Sequence, residues 1–354
     1  MGPPTSECFV VQDLPGAGRG VIASKDIPGG TVILDSEGPA AHVIFRQYRK
    51  EVCAYCFEYD RGRTRPVRDN EIGKVFCNLR CHTKWLEQQG DLGKDAWRAL
   101  QTFVQSRNKA VTSLICEQVV GGKPTPNTTR QEWSNADSQV QSRRSGNSSS
   151  SFKGGRSNHG QKPQVSVEPD ILSFLLSGVL AHHVSPQRWQ TEMLDLAPDD
   201  QPYTSFKELQ MHCTSFQQLA SFVPDELQSS CTTEVCHTLA SIGSHNAFGI
   251  RAGSEDGEEY MGYAIYPDAS YFNHSCSPNL LKRRMGRCWA FWTTREIKKG
   301  EQCCITYLGG DEKELDVADR RARLKRVWAF DCMCERCKLE VREETVEHSH
   351  ARAE

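Results

Sequence analysis

The sequence has almost no net charge and no internal repeat. Its 354 residues include 43 Lys and Arg against 45 Asp and Glu, which gives a formal net charge of −2 and a pI near 6.6. A protein held on nucleic acid mainly by phosphate neutralisation needs a basic surplus, so that class is excluded. No predicted helix has a clustered basic face, and we expect no direct sequence-specific DNA binding. The composition, 38% hydrophobic and 25% charged, is typical of globular domains.

The sequence also lacks the features of secreted and membrane proteins. Its first 20 residues contain no basic segment followed by an apolar one, so they do not indicate a secretory signal. The most apolar segment, residues 171–184, is interrupted by serines, a glycine and a pair of histidines, and it is too short to span a bilayer. We therefore expect a protein of the nucleus, the cytoplasm or both, with no membrane association.

Cysteine, in contrast, is abundant, with 16 residues in the chain. In a reducing compartment, clustered cysteines indicate metal binding or catalysis rather than disulfides. Cys53-x2-Cys56 and Cys77-x3-Cys81 are two thiolate pairs separated by a polar, Arg-rich loop, which is the pattern of a tetrahedral zinc site. Such a site has no open coordination position, so we expect it to be structural.

A second cysteine cluster lies near the C-terminus, where Cys332-x-Cys334-x2-Cys337 provides three thiolates. The fourth ligand must come from elsewhere, and Cys276 is the candidate because it lies in a polar, turn-like segment. Zinc on these four sulfurs would hold the C-terminal segment against the predicted β core. The sequence thus predicts two zinc ions for the chain.

Apolar periodicity and turn residues predict an α+β protein made of a β-hairpin unit, a helical middle and a core of short strands. The hairpin unit falls within residues 1–50, where the short apolar runs 21–22 and 31–34 are separated by a turn at 26–30. The predicted helices are 78–88, 94–120, 169–184, 205–223, 225–242 and 312–330. The predicted strands of the core are 246–252, 260–266, 279–285, 288–294 and 302–308.

Residues 121–167 differ in composition from the segments on either side. Ser, Asn, Gln, Gly and Arg replace the apolar periodicity there. A solvated loop and a partner-binding or nucleosome-directed arm are the two interpretations, and the composition favours the loop. The sequence therefore predicts a disordered insertion that is dispensable for folding.

Several short motifs, taken in order, resemble those of SET-domain protein-lysine methyltransferases. They are Asn273-His274-Ser275-Cys276-Ser277-Pro278-Asn279, Gly300-Glu301, Ile305-Thr306-Tyr307, Phe330 and the last cysteine cluster. The segment Gly18-Arg19-Gly20-Val21 resembles the opening hairpin of the same domain. A cysteine cluster between that hairpin and the remaining motifs is the arrangement of the SET and MYND-domain subfamily, whose cofactor-pocket segments are similar to Asn246-Ala247-Phe248 and Ser270-x2-Asn273. The resemblance covers nearly the whole chain outside 121–167.

The resemblance implies a SET-type β core interrupted by a zinc module and a helical insert. A full MYND module holds two zinc ions on eight ligands, whereas only the four ligands of the first are present here. We therefore expect a one-zinc, MYND-like remnant in a short member without the C-terminal helical-repeat domain. The implied division is 1–50 (N-terminal part of the SET domain), 51–93 (zinc module), 94–242 (helical insert, including the 121–167 loop), 243–310 (SET core) and 311–354 (post-SET helix, zinc cluster and short tail).

The resemblance also implies the chemistry and its residues. The methyl donor would be S-adenosylmethionine, and the acceptor a lysine of a histone tail or another protein. Tyr307 is the implied catalytic residue, with its hydroxyl beside the transferred methyl group. Trp328 stands where relatives often have a tyrosine lining the lysine channel, which leaves the degree of methylation open. The implied cofactor-binding residues are Gly18, Arg19, Gly20, Asn246, Ser270, Asn273, His274 and Phe330.

The sequence also allows one alternative to a methyltransferase. Taken singly, Tyr307, His274 and Phe330 would each be interpreted as packing residues, and only their joint order with the cysteine clusters favours catalysis. The alternative is a catalytically inactive SET-like zinc scaffold that mediates protein-protein interactions. A protein partner at the MYND-like module is compatible with either function, and we expect a monomer.

Overall fold

The structure is a computed structural model that describes residues 2–108, 122–145, 167–252 and 259–351. It has mixed helices and short strands, which confirms the predicted α+β class. The strands are β1 Phe9–Leu14, β2 Gly18–Ala23, β3 Val32–Asp35, β4 Ala41–Ile44, β5 Val67–Asp69, β6 Lys74–Phe76, β7 Ala247–Arg251, β8 Tyr260–Ile265, β9 Leu280–Met285 and β10 Cys288–Thr293.

Among the described residues the strands form small antiparallel sheets. The predicted pairing of the runs 21–22 and 31–34 is wrong, because these runs lie in different sheets; the hairpin is instead β1–β2, in which Phe9 is opposite Ala23. The order of a second sheet is β3-β10-β9 and that of a third is β4-β8-β7, while β5 and β6 form a ribbon within the zinc module. Both three-stranded sheets pair a strand from the first 50 residues with strands after residue 246, so the two distant parts of the chain build one core.

The predicted strand 302–308 is wrong as a continuous strand. Residues 302 and 305 form single bridges to Ile22 and His274, on different neighbours. The backbone N–H of Cys303 donates to Val21, whereas that of Ile305 donates to Asn273. Because successive hydrogen bonds go to different segments, no regular ladder forms, and the segment instead joins the hairpin to the 273–276 turn.

Each predicted helix has a counterpart in the described residues and differs from it only at the ends and at one kink, while α2, α4 and α8 were not predicted. Residues 78–88 and the described part of 94–120 form one element that is bent at Gly90, whose φ is 62°. The prediction for 225–242 starts too early, because α6 begins at Thr233 after a short 3-10 turn. The helices are α1 Leu79–Asn108, α2 Pro126–Arg144, α3 Pro169–Val184, α4 Pro186–Arg188 (followed by a π-helix, Trp189–Met193), α5 Phe206–Leu219, α6 Thr233–Asn246, α7 Val317–Trp328 and α8 Glu335–Ala351.

The prediction that 121–167 is disordered is wrong for α2. This helix is capped by Thr125, whose side chain accepts a hydrogen bond from the Thr128 backbone N–H. It buries Trp133, Ala136 and Val140, and it packs against α5 and α6. Three apolar residues at spacings of three and four, among polar neighbours, are enough to anchor one face of the helix. The rest of that prediction, 146–166 and residue 121, lies outside the described residues.

Helix α3 is the centre of the helical insert. Leu172, Leu175, Leu176 and Val179 are fully buried, and the helix packs against β4, α1, α5 and α6. Its Gly178 permits the close approach of Leu239, because a Cβ there would lie 2.3 Å from a methyl group of that leucine. Within the described ranges, no helix is long and apolar enough to cross a membrane.

Candidate active site and zinc centres

The four cysteines of the zinc module come together as predicted. The sulfurs of Cys53, Cys56, Cys77 and Cys81 all lie within 4.8 Å of one another, with Cys56 Sγ 3.5 Å from Cys77 Sγ. A tetrahedral zinc ion with Zn–S bonds of about 2.3 Å holds its sulfurs roughly 3.8 Å apart, so this set fits zinc. His82 is not part of the set, because its ring is 3.1 Å from a carboxylate oxygen of Asp69.

The C-terminal cluster is also assembled, and Cys276 is its fourth member. Cys276 Sγ lies 3.5 Å from Cys337 Sγ and 3.9 Å from Cys332 Sγ, and Cys334 completes a group within 4.8 Å. Four thiolates around a zinc ion carry a net charge of −2. The guanidinium of the buried Arg320 lies beside these sulfurs and offsets part of that charge.

Arg320 also connects the cluster to the last two helices. It donates to the Leu315 carbonyl and pairs with Glu340 on α8, which accepts a second bond from Arg336. The Arg336 guanidinium reaches the Cys276 carbonyl at 3.4 Å. The post-SET segment is therefore held against the 273–276 turn by hydrogen bonds in addition to the cysteine sulfurs.

Tyr307 is fixed by the same turn. Its backbone N–H donates to His274 Nδ1 at 2.9 Å, so Nδ1 is an acceptor and the ring proton lies on Nε2. That nitrogen lies 3.2 Å from the sulfur of Cys276. Desolvation lowers the pKa of His274 to about 4, which keeps the ring neutral near pH 7. His274 thus connects a zinc ligand to the backbone of the tyrosine.

The side chain of Tyr307 is a neutral phenol near pH 7. Its hydroxyl donates to the Phe272 carbonyl at 3.1 Å. Burial raises the pKa of the phenol above its usual value, so it remains protonated at neutral pH. Because the hydroxyl proton is donated to this carbonyl, the lone pairs of the oxygen can accept a hydrogen bond from a ligand. The group is suited to accepting weak hydrogen bonds and not to general-base catalysis.

A cavity of about 570 Å³ opens on one side of Tyr307. The ring of Trp328 lies 5.3 Å from that of Tyr307, and Phe248 lies 5.5 Å from Trp289. These aromatic walls would enclose a long, thin side chain and keep water from its end. Other residues on the cavity wall include Asn246, Ala247, Tyr260, Ser270, Phe272, Lys282, Leu308 and Gly309.

The remaining predicted cofactor-binding residues lie together outside that wall. Asn273 Nδ2 donates to the Arg19 carbonyl at 3.0 Å. A Cβ on Gly20 would be 2.7 Å from this amide nitrogen, which explains the need for glycine in the hairpin. Ala329 has a left-handed conformation with φ of 60° and turns the chain after α7, so that the Phe330 ring lies 6.2 Å from Tyr307.

Tyr307 therefore lies between two sets of predicted site residues. The first, Asn246 and Ser270, shares the cavity with its side chain, and the second contains Gly18, Arg19, Gly20, Asn273, His274 and Phe330. In the first set, the Asn246 amide donates to the carbonyls of Ala197 and Ile242. The Ser270 hydroxyl donates to the Tyr266 carbonyl at 2.9 Å. The assignment of both residues to a cofactor stays a prediction.

Two residues of this region, Asp195 and Tyr271, are not among the site residues predicted from the sequence. Arg19 Nη1 lies 2.5 Å from Asp195 Oδ2, and the Tyr271 hydroxyl donates to the same carboxylate. The Arg19 guanidinium also lies 5.0 Å above the Tyr271 ring. Asp195 comes from the helical insert and belongs to no motif, so no signal in the sequence indicates its position. Tyr271, in contrast, lies within the predicted Ser270-x2-Asn273 segment, which could have indicated its position.

Comparison with known proteins agrees with this geometry. The SET domain family model matches residues 18–308. The chain is 28% identical, over 95% of its length and 96% of the relative, to "Potential protein lysine methyltransferase SET6" of Saccharomyces cerevisiae. It is 40% identical, over 26% of the chain and 22% of the relative, to a SET and MYND domain-containing protein of Dictyostelium discoideum. Protein-lysine N-methyltransferase SMYD4 of Pongo abelii is 28% identical over 32% of the chain and 14% of the relative.

These findings define the class of the protein and confirm the resemblance found in the sequence. The chain belongs to the SET-domain family, because the matched region covers most of its length. More particularly, it is a SET-domain enzyme of the protein-lysine methyltransferase class with a MYND-like cysteine cluster.

Proposed function

We propose that the protein transfers a methyl group from S-adenosylmethionine to the ε-amine of a lysine in a protein substrate. The observation that carries this proposal is the position of Tyr307, whose hydroxyl is fixed by Phe272 at the boundary between the aromatic cavity and the Gly18–Asn273 side. In-line methyl transfer needs donor and acceptor on opposite sides of one point.

The residues on the Gly18–Asn273 side fit the chemistry of this cofactor. Arg19 provides a guanidinium for a carboxylate, and Asp195 provides a carboxylate for an ammonium or hydroxyl group. The ring of Phe330 provides an aromatic face for a purine. A Cβ added at Gly18 would have no atom within 4 Å, which leaves space beside these groups. When bound, S-adenosylmethionine supplies a methyl group on a positively charged sulfur.

The cavity side is suited to preparing a lysine for attack. A lysine amine with a pKa of about 10.4 must lose its proton before it can act as a nucleophile. The aromatic walls of Phe248, Trp289 and Trp328 favour the neutral form by excluding water. The Tyr307 oxygen, whose own proton is used by Phe272, can accept an N–H of the amine and so align its lone pair.

The substrates and locations are further parts of the proposal. Histone tails and other lysine-containing proteins both suit a channel that admits one side chain, and the nucleus or cytoplasm, or both, would be the site of action. The chain would act as a monomer, with the MYND-like module available to a protein partner.

Calorimetric titration with S-adenosylmethionine tests this proposal against the inactive scaffold. Binding with one site per chain is the expected result, and Arg19→Ala should weaken it. Lys25→Ala is the matched control, since Lys25 is exposed and lies 3.9 Å from its ion-pair partner Glu7. Zinc-loaded wild-type protein that binds no S-adenosylmethionine would favour the scaffold function.

A further inference from the structure

Arg320 of α7 is exceptional in its burial. Among the residues that the structure describes, it is the one Lys, Arg, Asp or Glu whose side chain is buried, with 1% of its surface exposed. Moving a guanidinium from water into a protein interior is costly unless opposite charge and hydrogen bonds compensate it. The groups around Arg320 must therefore provide both.

Oxygen acceptors satisfy only part of this guanidinium. Its Nη1 donates to the Leu315 carbonyl, and its Nη2 donates to a carboxylate oxygen of Glu340 on α8. A guanidinium has five N–H groups, and the Nε–H of Arg320 forms no hydrogen bond with any residue in the described ranges. The sulfurs of Cys276 and Cys337, two members of the C-terminal cluster, lie against the same guanidinium.

The charge on these sulfurs depends on the metal. Zinc, when bound, holds its cysteine ligands as thiolates. A thiolate accepts a stronger, charge-assisted hydrogen bond from a guanidinium than a neutral thiol does. Free cysteine thiols are mostly protonated near pH 7. The burial of Arg320 is therefore better compensated in the zinc-loaded chain than in the metal-free chain.

The same guanidinium joins the cluster to α8. The Glu340 carboxylate accepts hydrogen bonds from Arg320 and from Arg336, and Arg336 Nη1 reaches the Cys276 carbonyl at 3.4 Å. Cys337 is itself a residue of α8 and a member of the cluster. The contacts that hold α8 against α7 and the 273–276 turn therefore converge on the four sulfurs.

Helix α7 lies between this cluster and the large cavity. Leu324, one turn after Arg320, is fully buried in a small core that includes Cys337. Val327 and Trp328, at the end of the same helix, are on the cavity wall. A contact that fixes Arg320 against the cluster therefore also helps to fix this part of the wall.

We propose that Arg320 is a positioning residue that sets the zinc affinity of the C-terminal cluster and, through Glu340, makes metal binding and the docking of α8 stabilise each other. The coupling is reciprocal, because an arginine that is stabilised by zinc-bound sulfurs increases the affinity for zinc to the same extent. Removal of an outer partner of a metal ligand lowers metal affinity by about 10- to 100-fold.

The test is a competition between the full zinc-loaded chain and a chromophoric zinc chelator, in which the released cysteines are identified by alkylation and mass spectrometry. Arg320→Met should lower the affinity for one of the two zinc ions about tenfold or more, with alkylation at Cys276, Cys332, Cys334 and Cys337. Arg320→Lys, which keeps the charge, should recover most of this loss. Arg326→Met, at an exposed position of the same helix, is the matched control and should retain wild-type affinity.

Amide hydrogen exchange over residues 335–342 measures the docking of α8. At full zinc occupancy, Arg320→Met and Glu340→Gln should each exchange faster there than the wild type, because each lacks one member of the ion pair between the helices. Arg326→Met should exchange as the wild type does. Wild-type exchange in both Arg320→Met and Glu340→Gln would contradict the coupling between the cluster and α8.

The competition experiment can also overturn the proposal. Unchanged zinc affinity in Arg320→Met, loss of zinc from the Cys53 cluster instead, or a wild type without zinc at the C-terminal cluster would each do so. Equal losses in Arg320→Lys and Arg320→Met would show that the charge is not the cause. If Arg320→Met fails to fold, Arg320→Gln, which also lacks the charge, takes its place with the same expected loss. Methyl transfer does not enter either readout, so failure here leaves the proposed enzymatic function unaffected.

Discussion

At the scale of single residues, the Tyr307 hydroxyl is the feature on which the proposed chemistry depends. Its proton goes to the Phe272 carbonyl, and its backbone is held by His274, which in turn lies against Cys276. A change of Tyr307 to phenylalanine therefore removes the hydroxyl without altering the cysteines of either cluster. This separates its role from that of the residues on the hairpin side.

Tyr307→Phe should reduce turnover by roughly 10²-fold or more while cofactor affinity stays nearly unchanged, as expected for a group that acts mainly in the transition state. The measurement is the steady-state methyl-transfer rate together with calorimetric cofactor affinity. Tyr48→Phe is the control, because Tyr48 lies outside the cavity and contacts Tyr59. Unchanged turnover in Tyr307→Phe would contradict the assigned role.

Asn273→Ala, unlike Tyr307→Phe, should weaken cofactor binding. Its amide joins the 273–276 turn to the Arg19 carbonyl, and the variant loses this one of the bonds that fix the hairpin beside the site. We expect a loss of about tenfold in cofactor affinity, equal to roughly 1.4 kcal/mol. Calorimetry checks this expectation, and an Asn273→Ala variant with wild-type affinity would show that the bond is not used.

Lys74 predicts a specific pH dependence of stability. Its pKa is about 7 in the folded protein, below the value of about 10.4 expected when unfolded, so the unfolded state binds more protons between these pH values. The contribution of Lys74 to stability therefore increases as the pH rises from 7 to 10 and is lost as it falls. Burial lowers the pKa of the neighbouring His42 well below its usual value, so this imidazole stays neutral over the same range.

Urea unfolding of wild type and Lys74→Met at pH 7 and pH 9.5 measures this effect, in phosphate-free buffer. The stability difference should shift in favour of the wild type at the higher pH. A difference that does not change with pH would mean that the folded-state pKa of Lys74 is near its usual value.

At the scale of elements, local sequence patterns predicted the secondary structure of most segments but not the segments against which each one packs. The bounds of α3 agree with the helix predicted over 169–184, whereas the runs 21–22 and 31–34, which were expected to pair, lie in different sheets. Helix α2 was missed because three apolar residues among many polar ones become a packing face only when α5 is present. Segment 302–308 was wrong for a similar reason, since its hydrogen-bond partners are set by tertiary structure.

Trp133 should carry much of the stability of α2. It is 5% exposed, its Nε1 donates to the Tyr203 hydroxyl at 3.0 Å, and its ring contacts Phe216. Trp133→Ala should reduce the free energy of unfolding by about 3–5 kcal/mol, whereas Ser134→Ala, on the exposed face, should change it little. Urea denaturation gives both values. A Trp133→Ala variant as stable as the wild type would restore the interpretation of this segment as a dispensable loop.

At the scale of the whole molecule, the candidate active site and the two cysteine clusters join distant parts of the sequence. The 273–276 turn could be predicted because its motif is short and its order relative to the cysteine cluster is distinctive. Asp195 could not be predicted, because its partner Arg19 is 176 residues away and only the folded insert brings them together. Sequence reasoning thus singled out the 273–276 turn, which has a local signal, overlooked Tyr271 beside it, and could not place Asp195, which tertiary contacts alone bring to this region.

The zinc ions should be necessary for the assembly of the site. Elemental analysis should give two zinc ions in the wild type and in Cys8→Ser, and one in Cys334→Ser. Cys334→Ser should also lose methyl transfer, because the cluster holds the turn that positions Tyr307. One or three zinc ions in the wild type would contradict the assignment of the ligands.

Methyl transfer itself tests the central claim most directly. Zinc-loaded wild-type protein is incubated with S-adenosylmethionine carrying an isotopically labelled methyl group and a protein extract, and labelled residues are identified by mass spectrometry. We predict label on lysine ε-amines with the wild type and Tyr48→Phe, and almost none with Tyr307→Phe. Labelling that is absent with the wild type, or equal in Tyr307→Phe, would contradict the proposed function.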